Sequence, residues 1–290
     1  MNIRSDEVNV DNMKMTNSKF FYNGLREYLL TIFSSFVRNI NAWHWTYWFF
    51  FYAVVPTTIL AITIQQQSIK DSLLVLDIYQ PTAISMYFSN FTHSDIGHLS
   101  GNLMAYLIFV SMIFFLEDNP KITKLCVPFM FGILPFIISA VSIMYLSTIG
   151  KHIPPSQGFS GILAAIMGYG LFLLAKWMYA QFTKPFFENW DKQSKVQKIG
   201  GVAEFALVAY IIIIILGFGF NFGLFSVDGG ALANGIAHFT GFIFGLSLPL
   251  VIGFCRQRID YPFYLVFGAG IVSILFQYYQ YLLKFPTLIV

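Results

Sequence analysis

Seven runs of predominantly apolar residues dominate the chain, and each meets the length of roughly 20 residues that a helix needs to cross the hydrocarbon core of a bilayer. Their approximate limits are Trp43–Ile64, His93–Leu116, Leu125–Ile149, Ser156–Met178, Gly201–Phe220, Ala231–Phe254 and Pro262–Leu283. Lipid offers a backbone no hydrogen-bond partner, so such runs are expected to be helices that satisfy their own N–H and C=O groups. With 57% hydrophobic and only 11% charged residues, the chain lacks the polar surface of a soluble domain. The reading is an all-α polytopic membrane protein. Trp43, Trp45 and Trp48 open the first run as an interfacial aromatic belt.

The basic residues orient the bundle. With the N-terminus in the cytoplasm, 14 of the 17 Lys and Arg residues fall on the cytoplasmic side. They are Arg4, Lys14, Lys19, Arg26, Arg38, Lys121, Lys124, Lys176, Lys184, Lys192, Lys195, Lys198, Arg256 and Arg258, against Lys70, Lys151 and Lys284 outside. A bias of that size sets topology, and seven spans then leave the C-terminus outside. Residues 1 to 18 read as a polar tail. From Phe20 to Ile40 apolar residues such as Phe21, Leu25, Leu29, Ile32, Phe33 and Phe36 recur at helical spacing. That amphipathic helix lies in the membrane interface or packs on the cytoplasmic ends of the bundle. The connection from Gln65 to Thr92 carries its own apolar segment and is expected to fold back and embed partly in the outer leaflet. Cys126 and Cys255 fall near cytoplasmic helix ends, which argues against a structural disulfide. The polar N-terminus has neither a signal nor a transit pattern, so a prokaryotic plasma membrane is the expected location.

With this topology the second, fourth and sixth spans all enter from the outer side, and each carries polar residues early. His98 and Asn102 come from the second, Ser160 from the fourth and His238 from the sixth. At about 1.5 Å rise per residue they share a depth of roughly 7 to 15 Å below the outer surface. Polar groups inside a bilayer are costly and mark functional sites. Taken singly, each is equally well a satisfied helix-packing residue; their common depth favours the functional reading. A serine hydroxyl becomes a nucleophile when a base takes its proton, and histidine is the usual base. Small residues let the two helices approach: Ala237, Gly241 and Gly245 in AHFTGFIFG, and Gly161, Ala164, Ala165 and Gly168 on the fourth span. His98 and Asn102, at i and i+4, share a helix face, and both donate hydrogen bonds. Asp95 and Asp228 lie on the same side, with no motif that makes either an orienting carboxylate.

Three segments carry a resemblance: HSDIGHLSGN from His93 to Asn102, GFSG from Gly158 to Gly161, and AHFTGFIFG from Ala237 to Gly245. In these, and in their order on the second, fourth and sixth helices, the chain resembles the rhomboid family of intramembrane serine proteases. The resemblance covers a six-helix core, residues 43–254, after a tail with its amphipathic helix at 1–42 and before an additional C-terminal transmembrane helix at 255–290. It implies Ser160 as nucleophile and His238 as general base. It further implies an oxyanion hole from Asn102, His98 and the Ser160 amide, shaped by Gly158, with Gly161, Gly241 and Gly245 as packing residues around the site. The implied partners are transmembrane protein substrates and the lipid bilayer, with the fifth helix and the Asn221–Gly230 loop as the gate. Many members carry a Trp-Arg pair in the first loop; this chain does not.

Other chemistries fit less well. The five histidines show no HExxH pairing, so neither a metal nor another cofactor is expected. Neither Asp95 nor Asp228 sits deep in a helix, as an aspartyl enzyme would need. No nucleic-acid partner is expected. A transporter should show repeat symmetry or helices broken at the midplane. The remaining alternative is a catalytically inactive rhomboid-like protein that binds membrane clients.

Overall fold

The computed structural model describes residues 30–93, 95–147, 157–184, 189–203, 206, 210, 232–255, 263, 267–276 and 279. The regular elements among them are helical. Five helices are long and apolar enough to cross a membrane: α1 (Trp45–Thr63), α2 (Ile96–Leu116), α3 (Pro120–Leu146), α4 (Ser160–Gln181) and α5 (Leu232–Cys255). They correspond to the first four apolar runs and the sixth, and the chain is a multi-pass integral membrane protein. Most of the fifth run and the Asn221–Gly230 loop, expected to form the gate, lie outside the described residues. Of the seventh run, the described part includes a short apolar helix, Phe267–Phe276.

Local chemistry decides where the spans begin. Asp95 caps α2, its Oδ1 accepting from the His98 amide at 2.7 Å, so the helix starts after His93 rather than at it. Pro120 occupies the first turn of α3 and starts that helix ahead of its apolar run, carrying Lys121 and Lys124 with it. Helices α1 and α3 each contain one π-helical stretch, Phe50–Val54 and Phe129–Ile133, beside Pro56 and Pro128. A proline lacks the N–H that the preceding turn would use, and the backbone adjusts there.

Helix α4 is central and buried along nearly all of its length. The others turn apolar side chains outward, among them Trp45, Phe49 and Leu60 on α1, Met104 and Ile108 on α2, and Ile133 and Met144 on α3. That outward apolar surface is what a bilayer covers. Helices α4 and α5 meet backbone to backbone. A Cβ at Gly241 would overlap the Gly161 carbonyl oxygen, one at Gly245 the Ala165 carbonyl oxygen, and one at Gly168 the Phe242 carbonyl oxygen.

The first loop folds back on the bundle and is fastened to α3. Its helix Ala83–Phe88 is closed by a Thr82–Ser85 capping box. Tyr87 OH donates to the Phe131 carbonyl at 2.9 Å, and Asn90 Nδ2 lies within 3.1 Å of both Pro135 O and Ser139 Oγ. Leu76, Ile78 and Phe91 of the loop are buried as well, Phe91 against Tyr87 and Phe159. At the opposite end of the bundle, Asn39 on the helix at 30–41 donates to Phe115 O at 2.9 Å, and Phe36 packs against Phe115 and Trp177. The described part of the N-terminal amphipathic segment thus packs on the bundle end.

Candidate active site

The chain enters α4 through Gly158, whose φ of +149° lies in the region that favours glycine. Its amide donates to Ser89 O at 2.8 Å, tying the entry to the short helical turn Ser89–Phe91. The helix then begins at Ser160, after Phe159 as N-cap. Hydropathy alone would start it at Ser156; the later start makes Ser160 the first helical residue. Its backbone N–H therefore has no intrahelical acceptor, and the positive end of the helix dipole lies at the same spot. The Ser160 side chain is buried, 8% exposed. It borders a cavity that offers about 10 Å³ to the centre of a water molecule, shared with Ser89, Ser139, Gln157, Gly158 and Ala237. Space of that size holds one water, and the polar lining gives it partners.

The seam between α4 and α5 brings Ala237 to this cavity, whose lining includes Ser160 but not His238. A Cβ at Gly161 would stand 3.2 Å from Ala237 O. Ser160 and His238 are thus each the next residue along from a backbone contact between the two helices. His238 lies seven residues into α5 and is half-buried.

Asn102 and His98 come from α2. Asn102 is half-buried, with its Nδ2 2.9 Å from His93 Nε2. His98 is exposed, its ring centroid 5.5 Å from that of His93. The structure therefore joins Ser160 to Gly158 at one cavity and Asn102 to His93 at one hydrogen bond, while His98 meets His93 through its ring alone among the described contacts.

His93 is the residue that sequence reasoning passed over. It stands at the head of HSDIGHLSGN, but the motif says nothing of its partners. It is 1% exposed, and its Nε2 also accepts from the Phe159 amide at 3.4 Å. Burial, aided by the neighbouring His98, pushes its pKa down from 6.5 to about 4, against the opposing pull of Asp95. The ring is neutral at physiological pH. Gln157, Asn90 and Ser139 were also missed; polar residues in a loop and at one helix flank carry no local signature.

These features define a helical membrane protein with a small polar cavity sunk at one end of a tightly packed helix pair. A family model described as the Rhomboid domain matches residues 80–254, more than half of the chain. The chain belongs to the rhomboid family, as an intramembrane protease or a rhomboid-like protein. An uncharacterized protein of Archaeoglobus fulgidus is 48% identical over 40 residues, covering 13% of this chain and 44% of that protein's length. No solved structure matches the chain.

Proposed function

We propose that this protein is an intramembrane serine endopeptidase that hydrolyses peptide bonds in or near transmembrane segments of other membrane proteins. Ser160 Oγ attacks the scissile carbonyl, His238 takes the serine proton and returns it to the leaving amine, and water then cleaves the acyl-enzyme. The Ser160 amide and the Asn102 and His98 side chains stabilise the oxyanion. No metal or cofactor takes part. The observation that carries this reading is the α4–α5 seam, in which Gly161 and Ala237, the chain neighbours of Ser160 and His238, approach so closely that a Cβ at Gly161 would stand 3.2 Å from Ala237 O, with the Ile138 side chain packed beside them. The adjoining one-water cavity supports it, since deacylation needs a water near the serine. A substrate helix must unwind to offer its carbonyl, because an intact helix encloses its own. Entry past the fifth helix and the Asn221–Gly230 loop belongs to the same proposal.

The alternative, an inactive client-binding relative, would not need a reactive serine. The test is cleavage of a model transmembrane substrate in proteoliposomes, together with labelling by a fluorophosphonate. Ser160→Ala and His238→Ala are expected to lower turnover by ~10⁴-fold or more, and Asn102→Ala by ~10²-fold or less. Cleavage that persists at the wild-type rate in Ser160→Ala rules the protease reading out.

A further inference from the structure

The contacts around His93 assign the positions of two protons. The Phe159 backbone N–H can only donate, so the His93 Nε2 it meets at 3.4 Å must present a lone pair. On that contact the ring proton of a neutral His93 is assigned to Nδ1, a buried nitrogen that meets no acceptor among the described residues. With a lone pair on Nε2, the Asn102 atom facing it at 2.9 Å must be the NH₂ group, because an amide oxygen there would oppose lone pair to lone pair. One imidazole thus sets the side-chain amide of α2 and the entry to α4 on a single acceptor. Lys70, itself buried, reaches from the start of the first loop to His93 O at 3.5 Å and holds the loop's two ends together.

We propose that His93, as its neutral Nδ1–H tautomer, is the positioning residue for Asn102: it binds one N–H of the Asn102 amide and leaves the other for the anion formed at Ser160. The second half rests on the protease reading above; the first does not. The titratable and charged groups near His93 are His98 and Asp95 on its own segment and Lys70 from the first loop. Protonation would turn Nε2 into a donor and break both contacts, and burial keeps that event near pH 4.

Two measurements decide it. In full-length protein labelled with ¹⁵N-histidine, the resonances lost in His93→Gln should report a protonated Nδ1 and a bare Nε2 from pH 5 to 8, and the Nε2 signal should move in Asn102→Ala. A protonated Nε2 in that range overturns the proposal. In kinetics, His93→Phe keeps a planar aromatic ring, somewhat larger than imidazole, but loses the acceptor. It should lower kcat ~10- to 100-fold with KM little changed, as loss of one oriented donor does. His93→Gln, which keeps an acceptor, should recover most of that loss. In an Asn102→Ala background His93→Phe should cost clearly less than in the wild type, because only the Phe159 contact is left to lose. Losses that multiply, or a wild-type kcat in His93→Phe, overturn the proposal. Should His93→Phe not fold, His93→Gln and the tautomer measurement still decide. A wild-type protein that cleaves nothing would remove the protease reading, while the tautomer measurement needs no turnover.

Discussion

Gly158 concentrates three demands on one position. Its φ of +149° is strained for any side chain, its amide is committed to Ser89 O at 2.8 Å, and an added Cβ would stand 3.4 Å from Ser160 Oγ. Gly158→Ala should therefore cost about 1–3 kcal/mol of stability through backbone strain and reduce turnover, because the serine shifts with the backbone. Gly101, on α2, is the control: a Cβ there meets nothing within 4 Å, and Gly101→Ala should leave the melting temperature in detergent unchanged or raise it. Equal losses in the two variants would mean that the effect at Gly158 is generic. The sequence pattern GFSG placed glycine beside serine correctly, yet neither the sign of φ nor the bond to Ser89, 69 residues earlier, is encoded in four letters.

Where α2, α3 and α4 meet at the end remote from Ser160, a buried carboxyl holds them together. Glu117 Oε2 lies 2.5 Å from Tyr169 OH and 3.0 Å from Thr123 Oγ1, and the two hydroxyls are 2.6 Å apart. Three contacts need three protons. The hydroxyls supply two, so a carboxylate would leave the contact between them empty, and a neutral carboxyl closes the ring. Burial pushes the Glu117 pKa up in the same direction and outweighs the opposing pull of Lys176 and the hydrogen bonds from Tyr169 and the Asn119 amide. Since the native pKa lies above the unfolded one, the associated stability is complete below about pH 4.5 and is lost as pH rises through the native value. Glu117→Gln keeps a donor and an acceptor, so it should melt close to wild type at neutral pH and show less loss in alkali. Glu117→Ala leaves the Thr123 and Tyr169 hydroxyls bonded to each other but removes the acceptor of one of their protons and of the Asn119 amide, and should cost about 1–3 kcal/mol for each buried group left unpaired. Equal destabilisation by Gln and Ala at neutral pH would show that the charge, not the proton, is needed.

Across the whole molecule, what could be read in the sequence was what local composition encodes. Apolar run length gave five described spans to within a few residues, and the misses at Pro120 and Ser160 arose because a cap or a turn, not hydropathy, starts a helix. The small residues of GFSG and AHFTGFIFG were legible as packing residues, because glycine spacing records helix approach directly. The His93 acceptor, the Asn90 anchor and the Glu117 ring were not, because each depends on partners dozens of residues away that only the fold brings near. Orientation in the membrane is the remaining property of the whole, and the charge distribution predicts it. Lys121, Lys124 and Lys176 stand at the end of the bundle that also holds Glu117, with Lys176 paired to Asp118 at 2.7 Å, whereas Ser160 opens α4 at the other end. On the positive-inside bias, the lysine end is expected to face the cytoplasm and the serine end the outside. In a background lacking Cys255, with Cys126 buried, single cysteines can be introduced at the exposed positions Gln66 and Lys121. An impermeant maleimide applied to intact cells should label Gln66→Cys at once and Lys121→Cys only after the membrane is permeabilised. The reverse pattern would invert the topology and place the cavity on the cytoplasmic side, so that substrates would have to be cut from within the cell.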